Sequence, residues 1–108
     1  MRFVLEEAAA SLLLSPEEFR EVLEIFFEEA EKSLAGIDAA LPKGDEKALK
    51  ALFHDLKGSA FNFRIDEVGE RAKTLEACAA TGDWDRIHRE FPLLRDELVQ
   101  IKRMVQPR

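Results

Sequence analysis

Residues 84–105 read WDRIHREFPLLRDELVQIKRMV, with apolar members at Trp84, Ile87, Phe91, Leu94, Leu98, Ile101 and Val105. The intervals alternate three and four. That spacing puts all seven on one stripe of an α-helix and forms the seam of an antiparallel bundle or coiled coil. Pro92 falls inside the pattern; its ring opposes the carbonyl of His88, so a kink or a split near Phe91 is expected.

Working outward, Thr81-Gly82-Asp83 closes the preceding helix, Gly82 being suited to a left-handed C-terminal position. That helix buries Val68, Ala72, Leu75 and Ala79, with Asp66 expected as its cap after the interruption Arg64-Ile65-Asp66. The helix before it carries Ala48, Leu49, Leu52, Phe53, Leu56, Ala60 and Phe63 on one stripe. It opens at Asp45, after the break Leu41-Pro42-Lys43-Gly44-Asp45. A longer helix runs from Pro16 to about Ala40 on Phe19, Val22, Leu23, Phe26, Ala30, Ser33, Leu34, Ile37 and Leu41. Ser15, Pro16 and Glu18 stand at its N-cap, first helical and capping-box positions. The pattern predicts an all-α fold, an up-and-down four-helix bundle with a short extra N-terminal helix. A single domain over residues 1–108 is expected, with the N-terminal helix at about 3–14 and the bundle at about 16–105.

Composition limits the functions available. A chain of 108 residues suits one domain, and 46% hydrophobic residues is too many for a disordered segment. A net charge of −6 argues against a nucleic-acid module, which normally presents a basic face. No apolar run approaches the roughly 20 residues of a membrane span. The first residues turn acidic at Glu6-Glu7, too early for a secretory leader. Cys78 stands alone, which excludes an internal disulfide and fits a reducing compartment. A cytoplasmic monomer with no nucleic-acid or membrane partner is expected.

Plotted at about 100° per residue, the third helix puts His54 well off its core stripe, beside Lys47, Lys50, Lys57, Gly58 and Phe61. A histidine on the wet side of such a helix is presented to solvent. Gly58, one turn later on the same face, costs the helix about 0.5–1 kcal/mol relative to alanine, and its missing side chain would let another protein approach. Lys57, three residues after His54, is placed to neutralise an anionic group on the ring. Phe61 looks exposed on this face; it either docks a partner or buries against the N-terminal or fourth helix. Lys47 and Lys50 are further docking candidates. Phe27, at the edge of the second helix's stripe, is expected under the short first helix, and His88 on plain surface.

His54-Asp55-Leu56-Lys57-Gly58-Ser59-Ala60 closely resembles the signature of histidine-containing phosphotransfer (HPt) domains, and the resemblance extends from about Phe19 to Ile101. It implies a four-helix bundle with His54 as the phosphorylated residue, and Lys57 and Gly58 carry over with the motif. Family members place a glutamine or glutamate on the following helix to bond the histidine ring; the matching residue is Glu76. A glutamate there looks more like the domains at the N-terminus of chemotaxis-type kinases, whereas relay domains more often use an amide. The sequence departs from the family at Phe61-Asn62-Phe63-Arg64, where Arg64 replaces a glycine, so a different turn into the fourth helix is expected.

If Glu76 accepts from Nδ1–H, it fixes the tautomer and leaves Nε2 as the nucleophile. The chain has no phosphate-cradling glycine loop and no obvious carboxylate cluster for Mg²⁺. It is therefore expected to be a carrier without cofactor or metal of its own rather than an enzyme, with Mg²⁺ on the partner. Its partners would be response-regulator receiver domains, a histidine kinase catalytic domain, or both. Three functions fit. The first is exchange with receiver domains, the second a phosphoacceptor domain of a chemotaxis-type kinase, the third a scaffold that binds receivers without transfer. A di-iron bundle needs Glu-x-x-His pairs, but Ala51 and Asp85 precede the two histidines. His54-Asp55 also matches the HD-type phosphohydrolase doublet, which requires further histidines that the chain lacks.

Overall fold

Ser15 is extended (φ −72°, ψ 160°), and its hydroxyl accepts from the amide of Glu18 while the Glu18 carboxylate accepts from the amide of Ser15. This reciprocal cap, followed by proline, starts the longest helix of the computed structural model, which describes residues 3–106. Among the described residues the helices are α1 (Leu5–Ser11), α2 (Pro16–Ala40), α3 (Glu46–Asn62), α4 (Asp66–Thr81) and α5 (Trp84–Val105). Successive helices pack on one another, and α5 returns to touch α2, so the four long helices form an up-and-down bundle. The expected all-α class and bundle are both present.

The stripes read from the sequence supply the core. Phe19, Leu23, Phe26, Ile37, Leu49, Phe53, Leu56, Leu75, Ile87, Leu94 and Ile101 are all fully buried, in one cluster with the apolar residues of α1. Aromatic contacts cross between helices: Phe26 meets Phe63 at 5.4 Å between centroids and Phe53 meets Phe91 at 6.1 Å. Ion pairs edge the core, with Arg95 donating to both oxygens of Asp38 at 2.6 and 2.7 Å and Arg71 of α4 bridging Glu90 and Glu97 of α5.

Three local expectations need correction. The first helix is shorter than 3–14. Leu13 turns left-handed (φ 61°), its amide donates to Ala10 O and that of Leu14 to Ala9 O, which closes the helix in a Schellman arrangement and frees Ser15 to cap α2. The N-cap of α4 is the buried Ile65 rather than Asp66, which is the first helical residue. Pro92 does not split α5. Both Pro92 and His88 are exposed, so the carbonyl deprived of a donor lies on the wet side of the helix. The α3–α4 turn, which lacks the family's glycine, is made with Arg64 itself in the left-handed region at φ 62°. Its guanidinium donates to Phe61 O at 3.3 Å and to Ser11 Oγ at 3.2 Å, tying the turn to α1.

Elsewhere punctuation behaves as read. Asp45 caps α3 through the amide of Ala48 at 3.1 Å, and Gly82 is left-handed at φ 72°. Phe27 is buried, edge-on to Phe26 at 5.2 Å.

Candidate functional site

The core stripe of α3 leaves the opposite side of that helix to solvent, and His54 stands there with its side chain 63% exposed. From α4, Glu76 reaches across with both carboxylate oxygens engaged. His54 Nδ1 lies 2.8 Å from Oε2, and Lys57 Nζ donates to Oε1 at 2.7 Å. Glu76 is only 17% exposed and Lys57 24%, so this ion pair forms the half-buried floor beneath an open ring.

Electrostatics fix the roles in this triad. The hydrogen bond from Lys57 holds Glu76 below the usual carboxylate range; partial burial opposes it, and the bond to His54 adds to it. An ionised carboxylate can only accept, so in the neutral imidazole Nδ1 must carry the proton and Nε2 keeps its lone pair. A neutral, oriented nitrogen on a rigid helix is a competent nucleophile. Any positive charge that develops on the ring faces a carboxylate.

The other residues of this face fall into two groups. Gly58 is exposed, and a β-carbon built on it would meet nothing within 4 Å. No packing inside the bundle requires a glycine there. Lys47 and Lys50 are exposed on the same helix, and neither has an ion-pair partner among the described residues. Phe61 departs from its expected exposure. It is half-buried, its ring lying over Gly69 of α4 with Cε1 2.8 Å from where a β-carbon would stand. Of the placements open to it, burial against the fourth helix is the one adopted, because a glycine on α4 leaves a bare strip of backbone for the ring. Gly69 has no chemistry-bearing side chain, and only the pairing of α3 with α4 reveals it. His88 is exposed on α5, and burial pushes the Cys78 thiol up, away from a reactive thiolate.

Among known proteins, the family model described as the Hpt domain matches residues 21–104. The chain belongs to the Hpt domain family. Hpt domains are phosphocarrier modules of two-component signalling that work with receiver domains and kinases, not catalysts in themselves. No curated protein and no solved structure matches the chain. Within the described part of this Hpt domain, no helix is long and apolar enough to cross a membrane.

Proposed function

We propose that His54 is the phosphoacceptor and that the domain exchanges its phosphoryl group with receiver domains as a cytoplasmic, monomeric carrier. The observation that supports this best is the bond between His54 Nδ1 and the ionised Glu76 on an otherwise open ring. In the forward step the Nε2 lone pair attacks the phosphorus of an aspartyl phosphate. The N–P bond forms, the bond from phosphorus to the carboxylate oxygen breaks, and the aspartate leaves as a carboxylate. The ring becomes an imidazolium whose Nδ1–H points at Glu76, and the reverse sequence returns the group. Lys57 steadies Glu76 before transfer and meets a phosphoryl oxygen after it. Mg²⁺ and the remaining transition-state charges come from the partner, which approaches over Gly58 with Lys47 and Lys50 beside it.

One observation favours a second donor. A carboxylate can accept from His54 and Lys57 at once, one oxygen for each. An amide has a single acceptor oxygen and would turn its NH₂ toward one of them. A glutamate at this place resembles the phosphoacceptor domains served by the ATP-binding domain of a chemotaxis-type kinase. Incubation with radiolabelled phospho-receiver, and separately with such a kinase and ATP, tests both routes. The expected label is acid-labile and alkali-stable, absent in His54→Gln and present in His88→Gln. A label that survives His54→Gln, or intact binding with no label from any donor, would sink the proposal, the latter leaving the non-transferring scaffold.

A further inference from the structure

Phe61 follows His54 by seven residues on α3, and Gly69 precedes Glu76 by seven on α4. In an antiparallel pair those equal offsets place the Phe61–Gly69 contact about two turns, or about 10 Å, along the same seam from the His54–Glu76 hydrogen bond. The contact is tight, since a β-carbon at Gly69 would stand 2.8–2.9 Å from three atoms of the Phe61 ring. Gly69 is buried and Phe61 half-buried, so the ring is wedged between the two helices. The other flank of α3 is also close to its neighbour, though less so. A β-carbon at Gly36 of α2 would meet Leu52 Cδ2 at 3.1 Å, leaving α3 little room to retreat toward α2.

We infer that Phe61 and Gly69 form a spacer setting the separation of α3 and α4 at the phosphoacceptor, which makes Phe61 a positioning residue for His54 rather than only a surface aromatic. A hydrogen bond of 2.8 Å between side chains on different helices does not survive a displacement of about 1 Å, and a reacting group misplaced by that much loses rate by up to about 10²-fold. The spacer rests on the reading of His54 as phosphoacceptor only for its effect on rate; its effect on the imidazole tautomer stands apart.

The test compares wild type with Gly69→Ala, Gly69→Ala/Phe61→Leu, Phe61→Ala and, as a control for lost core packing, Ile87→Val on α5. Two quantities are read: the His54 tautomer from ¹⁵N chemical shifts at a pH where the ring is neutral, and the transfer rate from phospho-receiver. In Gly69→Ala the Nδ1–H tautomer loses its dominance and transfer slows about tenfold. The double variant, which thins the ring to make room for the methyl, recovers both to within about twofold. Phe61→Ala, which empties the contact from the other side without adding a clash, moves both in the same direction as Gly69→Ala. Ile87→Val leaves the tautomer as in wild type. A wild-type tautomer in Gly69→Ala and Phe61→Ala, the ring having swung aside without moving the helices, overturns the spacer, as does an equal shift in Ile87→Val. Should wild type take no label at all, the phosphoacceptor reading fails while the tautomer still decides on the spacer.

Discussion

Gly58 lies in the body of α3 and Gly69 in the first turn of α4, and their surroundings are opposite. Around Gly58 there is nothing within 4 Å of a would-be β-carbon, whereas at Gly69 the Phe61 ring already occupies that space. A glycine in a helix interior costs about 0.5–1 kcal/mol relative to alanine, and at most that in a first turn. At Gly69 the closeness of α3 and α4 recovers that cost inside the molecule. At Gly58 nothing inside the molecule does, so the benefit lies with whatever meets the outer face of α3. One glycine serves the fold and the other serves an encounter.

The strongest way to break this contrast is to fill both sites. Gly69→Leu is expected to lower the unfolding free energy by about 1–3 kcal/mol, as overpacking does in a filled interior, measured by urea denaturation. A stability equal to wild type would show that the α3–α4 seam has slack. Gly58→Ala is expected to act in the opposite sense, raising stability by about 0.5–1 kcal/mol while slowing phosphoryl transfer. Gain of stability without loss of transfer would remove the reason for a glycine on that face.

Arg64 sharpens the contrast from the other side, being a place where glycine would fit and arginine stands. Its left-handed backbone is disfavoured for a residue with a β-carbon, and its two side-chain bonds are exposed and weak. Arg64→Gly should therefore raise the urea midpoint slightly, by about 0.5 kcal/mol in unfolding free energy. A decrease would mean that the tie to Ser11 matters more than the backbone.

The smallest effect belongs to Glu76, whose native pKa is lowered by Lys57 and His54. Such a group contributes stability that is fully present above its unfolded value of about 4.3 and is lost as pH falls through the lower native value. The difference in urea midpoint between wild type and Glu76→Gln should shrink on acidification below about pH 4.3, by a few tenths of a kcal/mol. A difference that widens with acid would reverse the assigned sign.

What the sequence made legible was whatever rests on local chemistry. The three-and-four spacing of α5, the Ser15–Glu18 cap and the left-handed Gly82 each need only a few neighbouring residues, and each is found where it was read. The misreadings arise where a residue takes a conformation that its type disfavours. Pro92 is tolerated without a break because it faces solvent, Arg64 is left-handed although it carries a β-carbon, and Leu13, itself exposed, turns left-handed and closes α1 short of the expected Leu14. The site divides in the same way. The wet face of His54, Lys57 and Gly58 follows from helical periodicity, whereas Glu76 lies 22 residues away and only the family resemblance pointed to it. Phe61 over Gly69 depends on interhelical register, which no single-helix pattern carries.

The matched segment, residues 21–104, begins inside α2. A fragment trimmed to those limits would start one turn into its longest helix, without the Ser15–Glu18 cap and without Phe3, Leu5, Ala8 and Ala9, all buried in the common core. It would also lose Ser11, the anchor for the Arg64 side chain beyond α3. The smallest piece that behaves as this protein is therefore larger than the piece that identifies it, and a minimal version for reconstitution should retain α1.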